Sequence, residues 1–306
     1  MTSLAQLQEE LQETSAAIAR AEQALVRHPY VPSVLATLKT IQKRHANLEQ
    51  QFSEVASVAG LDVCRYRIDI EAAPPTVTGV SGVLLAFQKL VTAVYAAVKY
   101  AMPRQTTKTS AETIDETEFG FAYTFPGSLG IAMTLPNEIT LLNRSYLDDA
   151  MLGVFDIMKA RSTDDVKSVS NRFGMAAVRL AHNWATENTH AGFGAAISWQ
   201  RRDDVRASIR VQRPEIARLR AAINETTEET DAEIVGQLVM VNTEEKKFMM
   251  RVNGDLIEGQ FSDAISTVRS AELPKEHAAL IRITKKILPA EGEPPVSYFL
   301  LNLLSS

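Results

Sequence analysis

The sequence predicts a multidomain α+β protein: an N-terminal antiparallel helical hairpin of coiled-coil type, a central α+β domain, and a C-terminal small five-stranded β-barrel, OB-like or SH3-like. Three observations predict it. Apolar residues recur with a 3.5-residue period over 1–60. Alternating strand-like segments are interleaved with helix-period segments over 61–228, and five short strand patterns separated by turn residues fill 229–306. The expected domains are therefore 1–60, 61–228 and 229–306. A chain of 306 residues, 45% apolar and 23% charged, has material for two or three cores and excludes a disordered, collagenous or low-complexity class.

In the first helix Leu4, Leu11, Ile18 and Leu25 are spaced by seven, with Leu7, Thr14 and Ala21 at the alternate seam positions. The second carries Val34, Ile41, Leu48 and Val55 in one register and Leu38, His45, Phe52 and Ala59 in the other. Between them the prolines of HPYVPS (28–33) break the helix, and Gly60 closes the hairpin. At 1.5 Å per residue the hairpin is roughly 40 Å long. Each helix buries one stripe against the other, so the remaining apolar surface calls for the protein body, another protein or a second copy of the chain. Leu4, Leu7, Leu11, Ile18, Leu25, Leu38, Ile41, Leu48 and Phe52 are the expected self-association residues. His45 is the polar break in the seam, read as a register-setting residue in preference to a ligand or pH switch.

The middle domain opens on DVCRYRIDI (62–70), a strand with Cys64, Tyr66, Ile68 and Ile70 on one face and Val63, Arg65, Arg67 and Asp69 on the other. Residues 77–102 are long and apolar enough to suggest a membrane span. Gln88 and Lys89 at the middle argue against one, because a lysine at a bilayer centre costs about 2.5–3.5 kcal/mol; a buried helix is expected. The polar run 103–117 reads as a mobile loop. A hairpin over 117–138 follows, with Phe119, Phe121, Tyr123 and Phe125 on one face and a turn at Pro126-Gly127. Three helices are expected at about 145–160, 163–172 and 174–190, started by Ser145 and Thr163. A second hairpin returns at RRDD (201–204), and Pro214 starts a helix that decays into the acidic TTEETD (226–231), read as a domain boundary. The barrel strands are AEIVGQLVMV, KKFMMRV, LIEGQF, HAALIRITKKIL and VSYFLLNLL, with a turn at Asn253-Gly254-Asp255 and a helix in SDAISTVRSAE (262–272).

Chemistry-bearing motifs are sparse. The five histidines have no metal-ligand spacing, and neither a phosphate-binding glycine loop nor a nucleophile elbow is present, so no cofactor and no metal are expected. Cys64 is the single cysteine, which removes an intrachain disulfide and suits a reducing compartment; with no secretory leader pattern at the start, the expected localisation is cytoplasmic. His182, Glu187 and His190 form a polar helix end from which an acid–base pair could be drawn. The sharper feature is basic: Arg201, Arg202, Arg206, Arg210, Arg213, Arg218 and Arg220 crowd one window, with Arg206, Ser208 and Arg210 alternating outward on one strand. The guanidinium fork suits phosphate and carboxylate, so Arg201, Arg202, Arg206, Ser208, Arg210 and Arg213 are candidates for an anion or nucleic-acid site, weighed against a solvated sheet face.

The net charge of −5 divides into −1, 0 and −4 over the three domains, so the barrel holds most of the excess acid and suits phosphate poorly. The sequence thus favours a non-enzymatic assembly or adaptor protein whose partner is itself or another protein, with no membrane. Nucleic-acid or anion binding through 201–220 is the alternative, and an enzyme with a site near His182–His190 a further one.

Overall fold

The structure, a computed structural model, describes residues 3–29, 31–70, 74–126, 129–136, 145–202, 204–262, 273–286 and 296–304. These fall into two compact units, Met1–Ala222 and Ile223–Ser306.

The first unit is built on a five-stranded antiparallel sheet in the order β2-β3-β1-β4-β5: β1 (Leu61–Ile70), β2 (Gly120–Phe125), β3 (Leu129–Pro136), β4 (Phe193–Arg201) and β5 (Asp204–Val211). One sheet face, carrying Cys64, Tyr66, Ile68, Ala195, Ile197 and Trp199, is buried. Its helical cover includes α3 (Val77–Lys99), α5 (Tyr146–Met158) and α7 (Met175–Ala191). Tyr66 meets Phe87 of α3 edge-on at 5.1 Å and accepts a 3.0 Å hydrogen bond from the Trp184 indole of α7. α3 is long and apolar enough to cross a membrane by length and composition, and here its central residues Phe87 to Ala97 supply much of this core.

On the opposite face lie α1 (Leu4–Arg27) and α2 (Pro32–Val58), packed side by side as a helical hairpin. Leu7, Leu11, Leu48, Phe52 and Ala56 form one cluster with Val63, Ala122, Tyr123 and Ala132 of β1, β2 and β3. His45 is buried in the seam, its Nδ1 2.8 Å from Thr14 Oγ1, the seam residue it faces.

Local chemistry departs from the sequence expectations at three places in this unit. Residues 103–117 are not a free loop. Arg104 exchanges backbone hydrogen bonds with Phe173 and Ala176. Ser110 caps α4 (Ala111–Asp115), and the buried Thr117 hydroxyl lies 2.8 Å from that of Thr92. Threonine and serine hydroxyls supply these local bonds, which an apolar period cannot reveal. In β2 a register shift between Phe121 and Tyr123 turns Phe121 outward while Tyr123 stays buried, breaking the simple alternation. α6 (Thr163–Phe173) is capped by Ser162 and not by Thr163, in a capping box with Asp165. The turn at Gly127 lies outside the described residues, and the chain leaves the sheet along α8 (Arg213–Glu225).

The second unit is a closed five-strand barrel in the order β10-β8-β7-β6-β9, formed by β6 (Thr227–Asn242), β7 (Lys247–Val252), β8 (Asp255–Phe261), β9 (Lys275–Lys286) and β10 (Val296–Leu304). β8 and β10 run parallel and the other pairs antiparallel. Leu238, Phe248, Met250, Phe261, Ala279, Ile281, Leu300 and Leu303 fill its core. Asn253 and Gly254 both have positive φ, as the tight β7–β8 turn requires. The acidic stretch 226–231 is not a connector: from Thr227 it forms the start of β6, where Asp231 is paired with Arg282 of β9 at 2.8 Å. The expected helix at 262–272 lies outside the described residues.

Candidate functional site

Strand alternation places Arg65, Arg67, Ser198, Ser208 and Arg210 on the same sheet face as the hairpin. Pairing register sets them in two rows, Arg65–Ser198–Ser208 and Arg67–Ala196–Arg210, across β1, β4 and β5. The small side chains of Ala196 and Ser198 lie between flanking arginines, and the result is an open groove of about 410 Å³. Phe125 reaches it from β2 because Gly130 intervenes on β3: a Cβ there would sit 2.3 Å from the phenyl ring. The ring lies 4.4 Å from the Arg65 guanidinium, a cation–π pair that joins an aromatic surface to the basic wall.

Carboxylates hold these arginines in place. Glu49 of α2 grips Arg65 through two bonds of 2.7 and 3.2 Å, and His45 Nε2 lies 3.4 Å from the same carboxylate. Asp69 bridges Arg67 at 3.3 Å and Arg210 at 3.0 Å, and Arg206 pairs with Asp204 at 3.6 Å. The Arg210 side chain remains 61% exposed and that of Arg67 39%. The pairs of Arg67 and Arg210, exposed to this extent, are worth roughly 0–1 kcal/mol each, so they orient these two guanidinium groups without locking them against an incoming anion, whereas Arg65 is held more firmly by its bidentate, part-buried pair with Glu49.

The structure separates the other basic candidates from this groove. Arg201 follows Ala195, Ile197 and Trp199 onto the core face and is buried. Its guanidinium spans Asp62 at 2.9 and 3.0 Å and Asp148 at 3.0 and 3.1 Å, and is committed to those carboxylates. Arg202, at the turn, donates to Ser57 of α2 at 3.3 Å. Arg213 is at the start of α8 beside Gly192, the end of α7, where a cation suits the helix dipole. Arg65, Arg67 and Phe125 were outside the sequence-derived candidate set; the alternation of β1 already placed both arginines on one face.

Of the proposed self-association residues, Leu7, Leu11, Ile18, Leu48 and Phe52 are buried within the unit, whereas Leu4, Leu25, Leu38 and Ile41 are half-buried. The polar end of α7 does not converge. His182 is half-buried near Thr186, Glu187 lies against Gly82, and His190 is exposed. No group of metal-ligating side chains occurs among the described residues. Burial pushes the Cys64 thiol pKa far up, which keeps it protonated and a poor nucleophile.

No family model, curated protein or solved structure matches this chain.

Proposed function

We propose that the protein is a binding protein whose working surface is the arginine groove, and that its ligand is an anionic chain, with the phosphate backbone of single-stranded nucleic acid as the reference case. The observation that carries this reading is the convergence of Arg65, Arg67, Arg210 and Phe125 from three strands on one open groove. Arginine forks donate bidentately to phosphate oxygens, hydroxyls of Ser198 and Ser208 add neutral donors, and Phe125 offers a face on which one base stacks. The second unit takes no part in this reading, since the acidic excess of residues 229–306 repels phosphate. Its strand order, first-second-third-fifth-fourth with the third and fifth parallel, supports an OB-like barrel.

Fluorescence anisotropy with a labelled oligonucleotide of about twelve residues tests the proposal. Three arginine–phosphate contacts give a slope of log K against log salt of about −2 on single strands. Arg67→Glu/Arg210→Glu abolishes the binding. Absence of binding at low salt, or binding indifferent to charge reversal, overturns it.

The outer half of the hairpin supports a second reading, self-association. Val26 is 85% and Leu35 42% exposed there, while Leu25, Leu38 and Ile41 lack the full cover that the sheet gives Leu7 and Leu11. Light scattering on the wild type and on Leu35→Glu/Leu38→Glu distinguishes the cases: a dimer converted to monomer supports the reading, and a monomeric wild type removes it.

A further inference from the structure

A second concavity of the first unit, about 580 Å³, is lined by α3, the segment leading into α4, α4 itself, Glu118, Phe119 and α7. That volume falls within the usual range of small-molecule sites. Its aromatic surface is Phe119, stacked on the buried Phe87 with ring centroids 5.4 Å apart. Gln88 fixes the segment that carries it: the amide nitrogen donates to Thr117 O at 2.6 Å, and the amide oxygen accepts from the Phe119 backbone N–H at 2.8 Å. The Gln88 that interrupts the apolar run of α3 is thus a staple for one wall of the pocket. Leu85, Ile114 and Leu180 supply apolar surface, the first two being exposed large side chains at its edge.

Beside Thr92, Thr107 and Thr109, three further polar side chains line the pocket: the Lys89 ammonium, the Glu118 carboxylate and the Asn183 amide. Among the described residues none of the three is engaged in a hydrogen bond or ion pair, and the two opposite charges are not spent on each other. A ligand that satisfies both carries an anion and a cation of its own on an apolar body. We propose that this pocket binds a small apolar zwitterion, a free apolar amino acid or a short apolar peptide. Its carboxylate meets Lys89, its ammonium meets Glu118, and its side chain lies against Phe119, Leu85 and Leu180. Asn183 contributes a hydrogen bond to either charged end.

Isothermal titration of the full chain with L-phenylalanine and with the dipeptide Leu-Phe tests the site, with phenylacetate and phenethylamine as analogues bearing one charge each. At least one zwitterion binds, and each single-charge analogue binds at least ten-fold more weakly than phenylalanine or not at all. Which zwitterion binds more tightly separates the free amino acid from the peptide. Lys89→Gln and Glu118→Gln each weaken binding about ten-fold; both side chains are exposed, so circular dichroism of the variants matches the wild type. Arg67→Glu/Arg210→Glu leaves the titration unchanged, which keeps the result independent of the arginine groove. No heat from either zwitterion up to about 10 mM, or equal binding by the single-charge analogues or by both variants, overturns the assignment.

Discussion

Replacing Arg201 by methionine probes the most consequential polar cluster of the first unit. The side chain is 5% exposed, and its two partners are buried with it: Asp62 at 1% and Asp148 at 10% side-chain exposure. Methionine keeps much of the aliphatic volume and removes the cation that bridges the two carboxylates. Breaking a buried ion pair from one side costs about 3–5 kcal/mol, because the remaining charge is left without compensation. For a unit of this size that corresponds to a fall in melting temperature of roughly 6–20 °C. Burial by itself raises the Asp148 pKa, but the Trp199 indole, the Ser145 backbone N–H and Arg201 outweigh it and hold the carboxyl below its usual range. A depressed carboxyl stabilises the fold above its unfolded-state pKa, and that contribution is lost as the pH falls through the lower folded-state value. Without Arg201 the balance at Asp148 tips toward the protonated form. The deficit of the variant is then largest near pH 7 and shrinks as the pH approaches 4. Urea unfolding followed by tryptophan fluorescence reads this unit alone, since both tryptophans, Trp184 and Trp199, lie in it. A deficit below about 1 kcal/mol at pH 7, or one constant from pH 4 to 8, refutes the reasoning.

Further substitutions separate the groove from its scaffold. Gly130→Ala pushes its methyl into the Phe125 ring, and overpacking of this kind costs about 1–3 kcal/mol; oligonucleotide affinity falls with it, and an unchanged anisotropy curve removes Phe125 from the site. Phe125→Ala leaves the arginines in place and costs about 1–3 kcal/mol of binding, the worth of one stacked base; equal affinity in the same titration excludes stacking. Thr14→Val leaves His45 Nδ1 without its seam partner, and denaturant unfolding is expected to show a loss of about 1–3 kcal/mol. Trp199→Phe removes the indole donor to Asp148, a charge-assisted bond worth about 1.5–3 kcal/mol, with Trp184 fluorescence left to follow the transition.

Periodicity carried most of the fold. The seven-residue spacing of Leu4, Leu11 and Ile18 corresponds to α1, the alternation of Cys64, Tyr66 and Ile68 to the buried face of β1, and Asn253-Gly254 to the β7–β8 turn. What escaped was made by pairing between distant segments. The run TTEETD reads as a polar connector when taken alone. Opposite it on β9 stands Arg282, which Asp231 and Glu229 meet at 2.8 and 3.8 Å, and in register with that partner strand the same run becomes a strand. Likewise the run 103–117 lacks an apolar period, but its Thr117 bonds to Thr92 and Gln88 of α3, which no local pattern displays.

The site was legible to the extent that one rule was followed to its end. Alternation along β4 assigns Ala195, Ile197 and Trp199 to the core, and two residues further the same rule assigns Arg201 there too. A buried arginine demands buried carboxylates, and Asp62 obeys the same alternation on β1 beside Cys64. Charge type alone had grouped Arg201 with Arg206 and Arg210, although parity sets them on opposite faces. Parity also places Arg65 and Arg67 on the outward face of β1, but not which strand lies beside them. That required β4 to insert between β1 and β5, which brings Arg67 and Arg210 onto a shared Asp69 across 141 residues of sequence between that aspartate and Arg210. The groove is therefore a property of strand order. Seven arginines crowded into 201–220 contribute one residue, Arg210, to its lining, and the others come from a strand that composition did not single out.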